Sequence, residues 1–154
     1  MLHVTILAVG KVKEKYLREG IAEYEKRLSP YIKLKIRELP DEPLGQEMEK
    51  AKESEGEKIL KGVKDGAYLV VLDPKGKQLS SEEFGDWFSA REMSGQEVFF
   101  VIGGASGLAE KVKNRANAAL SFSRLTFPHQ LFRLILVEQI YRAYKILRGE
   151  PYHL

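Results

Sequence analysis

Two stretches of this chain, AYLVVL at Ala67–Leu72 and VFFVI at Val98–Ile102, are apolar at nearly every consecutive position. Successive side chains of a strand point to opposite faces, so a run without alternation needs apolar cover on both sides. Parallel sheets sandwiched between helices supply that cover, and the intervening segments read as helices. Leu2–Val9, ending at Gly10, is a third run of this kind. These runs predict an α/β fold with a mostly parallel five-stranded sheet and helices on both faces. No linker, repeat or low-complexity segment interrupts the chain, so residues 1–154 are expected to form one domain.

The remaining elements follow from periodicity and punctuation. Leu17, Ile21, Tyr24 and Leu28 form one stripe of a helix from Lys13 to Leu28, stopped by Ser29-Pro30. YIKLKIREL (Tyr31–Leu39) alternates strictly, with Ile32, Leu34 and Ile36 opposite Lys33, Lys35 and Arg37. That is a half-exposed strand near a sheet edge. A helix with a thin apolar stripe is expected over Gln46–Lys61, and Asp73-Pro74-Lys75-Gly76 is expected to end its strand in a turn. Ser80 and Glu83 make a capping-box pattern before a helix carrying Phe84, Trp87 and Phe88. A helix from Leu108 to about Ala119, a last strand at FSRLTF (Phe122–Phe127) and a long helix from Gln130 to about Arg148 complete the series. The long helix has almost no polar face, which points to cover from a second subunit and hence a homodimer.

Composition removes several functional classes. The 154 residues contain no cysteine, so disulfides, thiol nucleophiles and thiolate metal sites are excluded. Three scattered histidines give no zinc pattern, and no metal is expected. No run approaches a membrane span and no secretory leader is evident, so a cytoplasmic location is expected. The formal net charge is +3, unevenly spread: from Glu110 to Leu154 eight Lys/Arg face three Glu, a balance of +5. That asymmetry is compatible with a polyanion-facing surface and equally with a solvated helix face.

The motif VIGGASGL (Val101–Leu108) places three glycines after a buried strand. Backbone N–H groups there can approach a ligand closely, although a simple strand-to-helix turn needs the same glycines. Its G-G-x-x-G spacing differs from the dinucleotide fingerprint and lies far from the first strand. Gly10-Lys11 is followed by Val12, so it is not a phosphate-binding P-loop. Asp73 sits at a strand's C-terminal end, where ligands bind in α/β folds, but it also suits a turn. Arg142 on the apolar final helix needs a partner, either Glu138 one turn earlier or a ligand. Tyr152 and His153, if ordered, supply stacking and proton-transfer groups. The residues alone thus reach an α/β dimer with a nucleotide-type ligand and an anionic partner, with a nucleotide-dependent oxidoreductase and a non-catalytic RNA-binding dimer as rival readings.

VIGGASGL, S-F-S-R-L-T-F-P-H (Ser121–His129), E-Q-I-Y-R-A (Glu138–Ala143) and the closing Y-H, with LDPKGK at Leu72–Lys77, span most of the chain. Together they resemble the SPOUT-class methyltransferases, specifically the small single-domain family that methylates N3 of a pseudouridine in large-subunit (23S) ribosomal RNA. The resemblance implies a C-terminal segment threaded into a deep trefoil knot, with S-adenosylmethionine as methyl donor. It implies that Leu72, Gly103, Phe122, Ser123, Arg124, Leu125, Thr126 and Phe127 contact the donor. It implies a catalytic group of Arg142, Tyr152 and His153, with the two tail residues coming from the partner subunit. The implied substrate is rRNA within the assembled ribosome.

Overall fold

A computed structural model describes residues 1–43, 45 and 47–152. Its five strands are β1 (Leu2–Val9), β2 (Ile32–Leu39), β3 (Tyr68–Gln78), β4 (Val98–Ile102) and β5 (Ala118–Ser121). They form one sheet in the order β2-β1-β4-β3-β5, with every pairing parallel. The helices are α1 (Lys15–Leu28), α2 (Met48–Gly62), α3 (Ser81–Ser94), α4 (Glu110–Arg115) and α5 (His129–Leu147).

The unalternating runs are buried as expected: all of β4, and Leu69–Leu72 of β3. Alternate residues feed two cores. Val4, Ile6, Val70 and Phe100 pack with α1, α3 and α5, while Leu7, Leu69, Phe99 and Val101 pack with α2 and α4. β2 is an edge strand, with Lys33, Lys35 and Arg37 exposed. The capping box at α3 is complete: the Glu83 N–H donates to Ser80 Oγ, and the Ser80 N–H donates to Glu83 Oε1. α5 lies between α1 and α3, which cover two of its sides within one chain. Leu131, Leu134 and Ile135 stay half-buried.

Three boundaries differ from the sequence reading. β5 is Ala118–Ser121, so FSRLTF is a loop rather than the last strand. The helix expected to reach Ala119 stops at Arg115, because Asn117 instead satisfies the end of the sheet: its Oδ1 accepts from the Leu69 N–H. Nor do Asp73 and Pro74 end β3. The strand loops out and rejoins, so that Leu72 and Lys77 both lie against Leu120 of β5. Gly76 permits this, since a Cβ there would lie 2.7 Å from the Ala119 carbonyl carbon and oxygen.

Candidate active site

The C-terminal ends of parallel strands carry the loops that leave the sheet, and the gap between such loops is where α/β folds bind ligands. Here the looped-out stretch within β3 and the loops after β4 and β5 line a cavity of about 440 Å³. That volume lies in the range of small-molecule sites. The β4–α4 loop is the glycine turn. Its Gly107 has φ +85°, and the Gly107 N–H donates to the Gly104 carbonyl at 3.1 Å. Gly103 packs so closely on Leu108 that an added Cβ would come within 2.9 Å of its Cδ2. The opposing loop, Phe122–Phe127, is shaped by its own serines. Ser121 Oγ donates to the Ser123 carbonyl, and Ser123 Oγ accepts from the Leu125 N–H at 2.9 Å. Phe122 and Phe127 anchor this loop on Phe132 of α5, with ring centroids 5.4 and 5.6 Å apart.

Of the expected donor contacts, Leu72, Gly103, Phe122, Ser123, Leu125, Thr126 and Phe127 all line this cavity. Arg124 does not; it is exposed beside the loop. The cavity also takes in Pro74, Leu108, Lys113 and Phe132, which sequence reasoning missed. Lys113 reaches it by pairing with Asp73 at 3.6 Å, across a sequence gap that no local pattern reveals. Asp73 serves as a turn-former too, accepting from the Lys75 N–H at 3.0 Å. Among the described residues no group of His, Asp or Glu comes together that could hold a metal ion.

Behind the glycine turn lies a residue with no sequence signal beyond its place in an acidic helix. Glu55 of α2 is 5% exposed, accepts from Ser106 Oγ at 3.3 Å, and sits beside Gly104. Burial pushes its carboxyl above the usual range, more than the Ser106 bond lowers it.

Arg142 and Tyr152 form a separate cluster at the other end of α5. Thirteen residues separate Arg142 from His129 at the cavity, about 20 Å along a helix. Arg142 Nη2 pairs with Glu138 Oε2 at 2.7 Å, and this bond raises the guanidinium's already high pKa. The Tyr152 hydroxyl donates to the same oxygen at 2.9 Å, and its ring lies 4.9 Å from the Arg142 guanidinium. Tyr152 also packs on Tyr141 and meets the Tyr24 hydroxyl. Burial, reinforced by the Tyr24 and Glu138 bonds, pushes its phenol well above the usual tyrosine range. Held this way, the Tyr152 hydroxyl is engaged as a donor to Glu138. His153 lies outside the described residues.

The family profile described as "Predicted SPOUT methyltransferase" matches residues 2–153. A protein of Carboxydothermus hydrogenoformans, named ribosomal RNA large subunit methyltransferase H, is 53% identical over 99% of both chains. One of Pelotomaculum thermopropionicum with the same name is 54% identical over 99% of both. Among solved structures, a probable methylase family protein from Haemophilus influenzae Rd KW20 superposes with a TM-score of 0.57. It covers all of this chain and 72% of its own, and at 11% identity it speaks for the fold alone.

Proposed function

The chain belongs to the SPOUT methyltransferase family, and from that premise we propose that it methylates N3 of a pseudouridine in 23S rRNA, using S-adenosylmethionine. The observation that carries this reading is the meeting of the glycine turn and the Phe122–Phe127 loop around one cavity. The cavity suits the donor: its walls are largely apolar, and Gly103, Gly104 and Gly107 line it without side chains. When bound, the donor supplies an electrophilic methyl group on a sulfonium. Leu72, Gly103 and Phe122–Phe127 would hold it, Arg124 by its backbone. Family membership further implies the deep trefoil knot.

The chain's own residues must then handle the imide proton. N3 is a poor nucleophile until it loses that proton, and a cation beside the base favours the anion. Arg142 is the cation we assign to this role. Tyr152 stacks or donates a hydrogen bond, and His153 is the proton acceptor. In one chain Arg142 and the cavity lie at opposite ends of α5, and Tyr152 packs on Arg142 of its own chain rather than a partner's, so the assignment requires a second subunit that supplies Arg142 and the tail together. Two copies with antiparallel α5 helices bring the Arg142 end of one over the cavity of the other. The half-buried Leu131, Leu134 and Ile135 offer apolar surface for that pairing. The working location is the cytoplasm, on the assembled ribosome; no helix among the described residues is long and apolar enough to cross a membrane.

Calorimetric titration should give binding of S-adenosylmethionine and none of NAD, and mass spectrometry of rRNA should place the methyl group on N3 of pseudouridine. Arg142→Ala, or truncation after Pro151, should leave donor affinity within about twofold and abolish turnover. Full turnover in either variant removes these residues from the chemistry. Efficient methylation of protein-free rRNA would refute the requirement for an assembled ribosome.

A further inference from the structure

The +5 balance of the C-terminal third is compatible with a polyanion-facing surface there, but most of that charge is engaged within the fold. Lys111, Lys113, Arg133, Arg142, Lys145 and Arg148 are ion-paired to carboxylates, and Arg115 is bonded to Asn117 and the Ala67 carbonyl. Only Arg124 of these eight has no such partner among the described residues.

The opposite situation holds on β2. Lys33, Lys35 and Arg37 are exposed, lie on one face of the sheet, and have no ion-pair partner among the described residues. Alternate residues of a strand are about 6.6 Å apart, so the three cations form a row. Parallel register sets His3 beside Lys33 and Thr5 beside Lys35. The helix covering this face stops short of Lys33 and Lys35: α2 ends at Gly62, which packs against Leu7, the register partner of Arg37. Beyond that point the sheet is a shallow cleft of about 320 Å³, floored by Thr5 and Phe99. Lys64 stands at its rim, paired to Glu97 at 3.0 Å.

We propose that this cleft, with the Lys33-Lys35-Arg37 row, is a second RNA-contact surface that docks on rRNA phosphates remote from the methylation cavity. The inference rests on the rRNA reading above. The cleft lies at the N-terminal ends of β1 and β2, and the cavity at the C-terminal ends of the strands, so one subunit reaches RNA at two separated places. Lysines also protect edge strands from pairing with other chains. That role needs charge on the strand alone. It does not account for a cleft that sets His3 of β1 beside the row on the same face.

The test is the salt dependence of binding to ribosomes and to extracted large-subunit rRNA, comparing wild type with Lys33→Gln/Lys35→Gln/Arg37→Gln. Removing one cation from a phosphate flattens log K against log [salt] by about 0.7 to 0.9, so removing three should flatten it by about 2.1 to 2.7. Between 50 and 200 mM salt the wild type should then lose about 18- to 42-fold more affinity than the variant. Donor affinity, dimer content and Tm should not change, and Lys33→Arg/Lys35→Arg/Arg37→Lys should behave as wild type. If the triple variant aggregates, Lys35→Gln alone should still flatten the slope by about 0.7. An unchanged slope with an active wild type overturns the proposal and leaves edge protection. On the ribosome, a cross-link from this row that lands on protein and not on rRNA overturns it in favour of an acidic ribosomal protein. A wild type that binds neither probe overturns the rRNA reading itself.

Discussion

Gly76→Ala tests the close approach on which the cavity's architecture depends. Gly76 is not among the glycines with positive φ, so its backbone conformation is open to alanine. The cost is steric. A Cβ would sit 2.7 Å from the Ala119 carbonyl carbon and oxygen and 2.8 Å from the Leu120 carbonyl carbon. Contacts between non-bonded heavy atoms are comfortable at about 3.5–4.0 Å, and here all three neighbours are backbone that no rotamer change can move. Relief requires shifting β3 against β5, which puts the cost at the upper end of overpacking, about 3 kcal/mol. For a chain of this length that lowers Tm by about 6–12 °C. Gly95→Ala is the matched control: φ is +74° and nothing lies within 4 Å of its added Cβ, so only backbone strain is felt. That strain costs about 1 kcal/mol, or about 2–4 °C. Thermal unfolding at one fixed protein concentration, with donor binding measured in parallel, separates the two. Gly76→Ala should also weaken donor binding, because Leu72 and Pro74 line the cavity on the same stretch. A Tm loss no greater than that of Gly95→Ala would refute the reasoning.

Two further outcomes follow from local chemistry. Glu55 has a folded pKa raised by burial, so its contribution favours folding below about pH 4.3 and is lost as pH rises through the raised value. Glu55→Gln keeps an acceptor for Ser106 without that loss; its Tm should match wild type at pH 4 and exceed it at pH 8, and a higher wild-type Tm at pH 8 would reverse the sign of the argument. Ser80→Ala removes the acceptor for the Glu83 N–H and should cost about 1 kcal/mol, seen as a Tm lower by about 2–4 °C; an unchanged Tm would mean that the cap is replaced by solvent.

Periodicity and short motifs, both local properties, made much of this protein legible in its sequence. The apolar runs at Leu69–Leu72 and Val98–Ile102 require cover on two faces wherever they lie, so the parallel sheet followed from them alone. The alternation of Tyr31–Leu39 likewise announced an edge strand, and the motifs at 101–108 and 121–129 carried the family resemblance and all but one of the expected donor contacts that line the cavity. What depends on distant segments meeting was decided by the tertiary structure. β3 continues past Asp73-Pro74 because Gly76 lets it cross β5, and FSRLTF is a loop because β5 has already been used against β3. Lys113 joins the cavity through Asp73, and Glu55 is buried because α2 packs behind the glycine turn. Charge shows the same division. Counting along the chain pointed to the C-terminal third, but ion pairs form between residues far apart in sequence, so which cations remain available is decided only by the fold. By that measure the unpaired row is on β2.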